Sequence, residues 1–285
     1  MTTPSLFDRR ALRRNRARAA AFGPRGCFLA AEVACRLEER LADIKRTFTR
    51  ALVLGPPDLI APPAKAVVRA DLVAHDGKVD MVLDEEALPF GQASFDLVIS
   101  LMGLHWVNDL PGALVQFNRA LAPDGLFLAA LCGAGTLERL RQAFLAAEAE
   151  LEGGASPHVA PFAEVRDLGG LLSRAGFALP VADVDHIDVR YRDAFALMAD
   201  LRGMGEANVM HNRRRAFARR ATFLRMAQLY GEEEGAKDGA ISARFSIVYL
   251  TGWAPAPGQP RPARPARLAD ALGTVEQSAG EKAAR

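Results

Sequence analysis

Apolar positions recur along this chain in two periods that alternate, and the alternation predicts a sheet interleaved with helices. From Phe28 to Phe48 the residues Leu29, Val33, Leu37, Leu41, Ile44 and Phe48 fall three and four apart, the spacing of one helix face. Short apolar runs follow at 50–54, 66–70 and 79–83. The run 95–100, Phe-Asp-Leu-Val-Ile-Ser, is nearly continuous, as in a strand covered on both faces. Asn108 or Asp109 is placed to cap a helix with Pro111 in its first turn and an apolar stripe of Leu110, Ala113, Leu114, Phe117 and Leu121. Pro123-Asp124-Gly125 signals a turn, and 126–131 reads as a fifth buried strand. Strands alternating with helices imply parallel pairing, right-handed crossovers and an α/β sheet with helices on both faces.

The second half is richer in helical pattern. Helices are expected over 136–151, 161–175, 193–204 and 213–230, a strand over 181–191, and a last strand over 243–253. From Ala254 the chain is rich in Pro, Ala and Arg and has no apolar period, which predicts a disordered tail over 254–285. The expected organisation is a basic arm over 1–26, one domain over 27–253 with a helical region at about 136–235, and that tail.

Charge and composition narrow the classes. The net charge is +2, but the first 25 residues carry +6 through seven arginines against Asp8, leaving the remainder at −4. So balanced a body lacks the broad basic face of a nucleic-acid binder. The arginine-rich start suits either a basic first helix, the favoured reading, or a mitochondrial targeting segment. No apolar run approaches the ~20 residues that span a bilayer. Cys27, Cys35 and Cys132 form no CxxC pair, and His75, His158, His186 and His211 show no ligand spacing, so no metal site is expected. A reducing compartment, bacterial cytoplasm or alternatively the mitochondrial matrix, follows.

From Leu83 onward the residues become specific. Asp84-Glu85-Glu86-Ala87-Leu88-Pro89-Phe90, the 94–100 strand, and His105-Trp106-Val107-Asn108-Asp109-Leu110-Pro111 resemble S-adenosylmethionine (SAM)-dependent methyltransferases of the Rossmann-like type. Those pieces also suit the carrier-protein methyltransferases of biotin synthesis. The segments 152–162 (Glu-Gly-Gly-Ala-Ser-Pro-His-Val-Ala-Pro-Phe) and 200–208 (Asp-Leu-Arg-Gly-Met-Gly-Glu-Ala-Asn) narrow the match. They resemble the methyltransferase-like assembly factors of respiratory complex I, whose mitochondrial member is a protein-arginine hydroxylase. The resemblance implies a Rossmann-like sheet, SAM as cofactor, and a complex I subunit as protein partner or substrate.

Within that frame the candidate cofactor residues are Gly55 after strand one, Asp71 after strand two for the ribose hydroxyls, Asp84 near the adenine amine, and Ser100 and Leu101 at the end of strand four. Where the family has Gly-x-Gly, this chain has Gly55-Pro56-Pro57. Proline fixes φ and removes an N–H, so the permissive turn and a donor are both lost. The connections 55–66 and 71–79 are also short for helical crossovers. Both departures count against cofactor binding.

His105 is the candidate proton acceptor, with a packing role as the blander reading. Arg202, Glu206 and Asn208 are candidate substrate residues. Glu206 suits a guanidinium, or equally Arg202 four residues earlier on a helix. Arg213, Arg214, Arg215, Arg219, Arg220 and Arg225 are expected on one helix, as a solvated face or a peripheral contact with an acidic partner or membrane surface. Three functions stay open: an enzyme modifying a protein side chain, a binding module that kept the fold while the cofactor turn decayed, and a methyltransferase for a small molecule or carrier protein.

Overall fold

The computed structural model describes residues 5–22, 27–216, 218–234 and 240–256. Helix α1 (Arg9–Phe22) and helix α2 (Phe28–Asp43) precede strand β1 (Phe48–Leu54). Next come β2 (Ala64–Asp71), the two-residue β3 (Met81–Val82), β4 (Phe95–Leu101), α3 (Leu110–Ala120) and β5 (Leu121–Cys132). Then follow α4 (Glu138–Glu152), α5 (Val165–Arg174), β6 (Ala178–Tyr191), α6 (Ala194–Gly203), α7 (Arg220–Glu234) and β7 (Ile241–Trp253). The strand order is β3-β2-β1-β4-β5-β7-β6. The first five strands are parallel, and β7 enters antiparallel to both β5 and β6. The order reverses between β1 and β4, and open α/β sheets bind ligands at the carboxyl ends of strands beside such a reversal.

Each face of the sheet has its own core. On one face Leu29, Val33, Leu37 and Leu41 of α2 meet Ala51, Val53, Ile99 and Leu128. On the other, Leu114 and Phe117 of α3 and Leu168 and Leu172 of α5 meet Leu52, Val98 and Phe127. Pairs of stacked rings join Phe117, Phe127 and Phe177 on that side. The β1–β2 and β2–β3 connections contain no helix, as their lengths predict. Ile60, 4% exposed, fills the core where a crossover helix would pack, with Leu59 beside it.

Several expected boundaries move. The helix read over 28–48 ends at Asp43, because Ile44 turns to extended backbone (φ −87°, ψ 92°), and Phe48 opens β1 although it continues the helical spacing. The third strand shrinks from 79–83 to Met81–Val82. Pro123-Asp124-Gly125 lies within β5, where Asp124 at φ 62° and a register shift against β4 bend the strand rather than precede it. The arginine-rich helix begins at Arg220 rather than at 213. The expected tail falls outside the described residues after Ala256, as do 1–4 and 23–26 of the basic arm.

Candidate functional site

The carboxyl edge of the sheet lies beneath α1. Asp8 starts this helix by accepting from the Ala11 N–H at 3.0 Å, and its other oxygen takes Arg213 at 3.0 Å. These contacts pull the Asp8 carboxyl down to about 2, the backbone hydrogen bond contributing most and the Arg213 pair next. Phe7 docks edge-on against Trp106 with ring centroids 5.2 Å apart. Ala11 and Leu12 sit against Leu72, Trp106 and Met210 in a small cluster of their own. Gly205, at φ 79°, lets the backbone approach closely: a Cβ there would stand 3.2 Å from Arg16 Cα and 3.3 Å from Ala19 Cβ.

Through α1 the chain delivers three guanidinium groups to the strand ends. Arg9 pairs with Asp84, with Glu85 at 2.9 Å, and donates to the Trp106 carbonyl at 3.2 Å. Arg13 adds a second bond to Asp84 at 3.1 Å. Burial alone would raise the Asp84 carboxyl, but the hydrogen bond and positive field of Arg9 bring it below its ordinary value. Arg16, side chain 9% exposed, donates to the Met102 carbonyl at 2.5 Å, and lies 3.4 Å from Glu206 and 3.6 Å from Asp71. Asp71 also accepts from the Leu72 N–H at 2.6 Å and meets His75 Nε2 at 2.5 Å.

Of the residues the sequence singled out, Gly55, Asp71, Ser100 and Leu101 do stand at the ends of β1, β2 and β4. Gly55 has φ 124°, and a Cβ there would meet the Leu101 carbonyl oxygen at 2.5 Å, so that turn tolerates only glycine. Asp84 follows β3. The oxygens of Asp71 and Asp84 face this chain's own arginines. Ser100 Oγ is buried without a hydrogen-bond partner, an unsatisfied polar atom at the switch point.

Glu206 links this charged region to its neighbour. One oxygen faces Arg16, and the other accepts from Trp106 Nε1 at 2.5 Å and lies 3.0 Å from His105 Nε2. The Cys132 N–H points at His105 Nδ1 from 3.5 Å, which leaves Nε2 to carry the proton toward Glu206. Burial pushes the Glu206 carboxyl up, but its contact with His105, the Arg16 charge and the Trp106 hydrogen bond overcome it and hold the group below its ordinary value. The expected Arg202–Glu206 pair does not form: α6 ends at Gly203, so the two residues never share a helix face.

Beside this junction lies a cavity of about 190 Å³. Its walls include Leu140 and Phe144 of α4, Phe162, Met198 of α6 and Phe223 of α7, with Trp106, Arg202, Glu206 and Asn208 at its polar edge. All three candidate substrate residues thus reach one chamber, although Asn208 also donates to the Pro157 carbonyl at 2.6 Å. His158, held by Glu148 at 2.9 Å and stacked on Phe144, forms another part of the wall. His105 sits behind Glu206, with its side chain 1% exposed.

Arg9 and Arg16 were not legible as site residues. Their one signal is the spacing 9, 13 and 16, which puts three arginines on one helix face. Trp106, buried beside His105, contributes an N–H to Glu206 as well. Half of the arginine-rich stretch is paired within the chain: Arg213 with Asp8, Arg214 with Glu152 and Arg225 with Glu150. Among the described residues there is no cluster of metal ligands, and no helix long and apolar enough to cross a membrane.

Comparison with known proteins agrees with this architecture. The profile of a methyltransferase domain matches residues 60–129. The YcgJ protein of Bacillus subtilis, a solved structure, superposes with a TM-score of 0.50 at 15% identity, covering 78% of this chain and 98% of that one, a likeness of fold. A malonyl-[acyl-carrier protein] O-methyltransferase of Gallionella capsiferriformans is 30% identical, over 88% of this chain and 93% of its own. The mitochondrial arginine-hydroxylase NDUFAF5 of Mus musculus is 42% identical over 277 residues, 91% of this chain and 80% of the relative. Its Danio rerio counterpart is 38% identical, with 91% and 86% covered. At that identity and coverage the chain belongs to the methyltransferase-like family of the arginine-hydroxylase NDUFAF5.

Proposed function

We propose that this protein acts on an arginine of a protein partner, by family resemblance a subunit of respiratory complex I under assembly, and that Glu206 receives the guanidinium. The observation that carries this reading is that Glu206, mostly buried between the ion pairs under α1 and the cavity, already faces a guanidinium, that of Arg16. A carboxylate fixed from behind by His105 and Trp106 presents its remaining oxygen in a set direction, as recognition of a planar cation requires. His105 in this reading is a positioning residue that acts through Glu206. Arg202 and Asn208 border the chamber that would take the residues flanking the target. The relatives named as mitochondrial favour the matrix over the bacterial cytoplasm expected from composition.

SAM is the cofactor that a methyltransferase fold implies, where it supplies an activated methyl group. Asp71 and Asp84 have the right chemistry for ribose hydroxyls and an adenine amine, and Ser100 Oγ has a free hydrogen-bonding capacity. Their carboxylates, however, are taken by Arg16, Arg9 and Arg13. As α1 lies, these residues do not fit the cofactor, and the assignment rests on what the arm and Glu206 do.

The test is mass spectrometry of complex I subunits from cells carrying the wild-type gene or Glu206→Gln. The expected result is one arginine heavier by an oxygen or a methyl group with the wild type and unmodified with the variant. Identical spectra would overturn the reading. A second reading, methyl transfer to a malonyl carrier protein, is favoured by the carrier-methyltransferase match and by Arg202. That residue has no carboxylate partner among the described residues and borders the cavity, where a malonyl carboxylate would meet it. A methyl ester on carrier protein incubated with SAM and this protein would establish that alternative.

A further inference from the structure

Helix α1 is an unusual element to find buried at a functional edge. Among its described side chains Ala11, Leu12 and Arg16 are buried, whereas α2 buries Leu29, Val33, Ala34, Leu37 and Leu41. The apolar contacts described for α1 are those of Ala11 and Leu12 with the small cluster around Leu72, Trp106 and Met210, and ion pairs add to them. Arg9, Arg13 and Arg16 stand at i, i+4 and i+7 on one face. With a rise of about 1.5 Å per residue, the first and last are ~10 Å apart along the axis. That spacing matches two acidic stations at the strand ends: Asp84 with Glu85 for Arg9, and Asp71 with Glu206 for Arg16. A buried carboxylate without a counter-ion is strongly disfavoured, so these stations need cations at all times.

We propose that the two stations form a receptor for an arginine-bearing helix, that α1 is its resident internal ligand, and that a partner helix with arginines seven apart enters by displacing α1. Arg16 then occupies the position of the arginine to be modified, and Arg9 that of a specificity arginine seven residues before it. This rests on the reading of Glu206 given above and adds to it the form in which the target is presented. The exchange is close to isoelectric: one set of guanidinium–carboxylate pairs replaces another, so no buried carboxylate is left bare. Gly205 sets how near the helix lies, since a side chain there would press on Arg16 and Ala19.

The test uses the full-length protein and a synthetic peptide with the sequence of residues 5–22, beside a control peptide in which the three arginines are glutamine. Hydrogen–deuterium exchange is followed along the wild-type chain. The expected result is at least a tenfold faster exchange over 9–22 with the basic peptide, no change in β1 or β4, and no effect of the control. A peptide that fails to bind at millimolar concentration, or binds without loosening 9–22, overturns the inference. A second arm titrates Arg16→Ala with ethylguanidinium and with ethylammonium, reading the melting midpoint. A saturable rise with ethylguanidinium alone, lost in Arg16→Ala combined with Glu206→Gln, supports the guanidinium station. If Arg16→Ala does not fold, Gly205→Ala, which crowds α1 while keeping every charge, is tested with the basic peptide instead; tighter binding than wild type is expected, and equal or weaker binding overturns the displacement of α1. Failure of the peptide with success of ethylguanidinium removes helix presentation and leaves Glu206 as an arginine receptor. Failure of both removes that reading as well.

Discussion

Two regions meet at Glu206, and they are built on opposite principles. Under α1, Asp71, Asp84, Glu85 and Glu206 are matched by Arg9, Arg13 and Arg16, beside a small apolar cluster around Leu12 and Trp106. Under α4, α6 and α7 the walls are Leu140, Phe144, Phe162, Met198 and Phe223, and few polar atoms reach the space they enclose. The charged region depends on its pairs, because Arg9, Arg16, Asp71 and Glu85 have largely left water and rely on their neighbours. The apolar one tolerates an opening, since a void lined by hydrocarbon loses dispersion contacts but strands no charge. A region held by pairs can exchange one partner for another, whereas a region held by packing can only be filled. This contrast suits a site that receives a charged side chain on one side and the body of a ligand on the other.

The contrast can be broken first at Glu206. Glu206→Ala takes from the buried Arg16 guanidinium one of its two carboxylates and from Trp106 and His105 their shared partner, and an unfolding free energy lower by about 3 kcal/mol is expected from urea denaturation. A loss below about 1 kcal/mol would show that Asp71 or water satisfies Arg16 without Glu206. On the apolar side, Leu140→Ala is expected to cost about 2–3 kcal/mol, at the low end for such a truncation because the side chain already borders a void. Its cost should not change with salt, and a marked salt dependence would contradict an apolar setting for Leu140.

Asp8→Asn keeps a capping side chain but removes the charge facing Arg213, so a deficit of roughly 1 kcal/mol at neutral pH is expected. The sign follows from the depressed carboxyl. Its folded value of about 2 lies below the unfolded value of 3.8, so the stabilisation is fully present above about pH 4 and is lost as pH falls through about 2. The wild-type and variant stability curves should therefore converge between about pH 4 and about pH 2. The smallest effect is expected at Arg225, whose pairing with Glu150 lies on the exposed side of α7. Arg225→Ala should leave the denaturation midpoint unchanged within error in the same series.

The sheet was legible in the sequence because strands buried on both faces write themselves as apolar runs, and 50–54, 95–100 and 126–131 all lie within observed strands. The short first crossovers were equally legible, since chain length alone forbids a full helix between β1 and β2. Helix 28–48 overran because Ile44 and Phe48 satisfy the helical period and the strand that follows, and a local pattern cannot say which environment claims a residue. The placing of Glu206 was half legible: the residue type suited a guanidinium, but its partner came from 190 positions earlier.

What the sequence determined by itself was the order of elements and the chemistry available at each strand end, because periodicity and residue type are local properties. Which arginine meets which carboxylate was decided only by tertiary structure. Arg9, Arg13 and Arg16 are chemically alike, with Arg10 and Arg14 beside them, and only the approach of α1 over Gly205 selects the three that face the sheet. Desolvation then turns that geometric choice into a constraint, since each buried charge needs a partner at a fixed distance, and that distance is set by the fold and not by the chain.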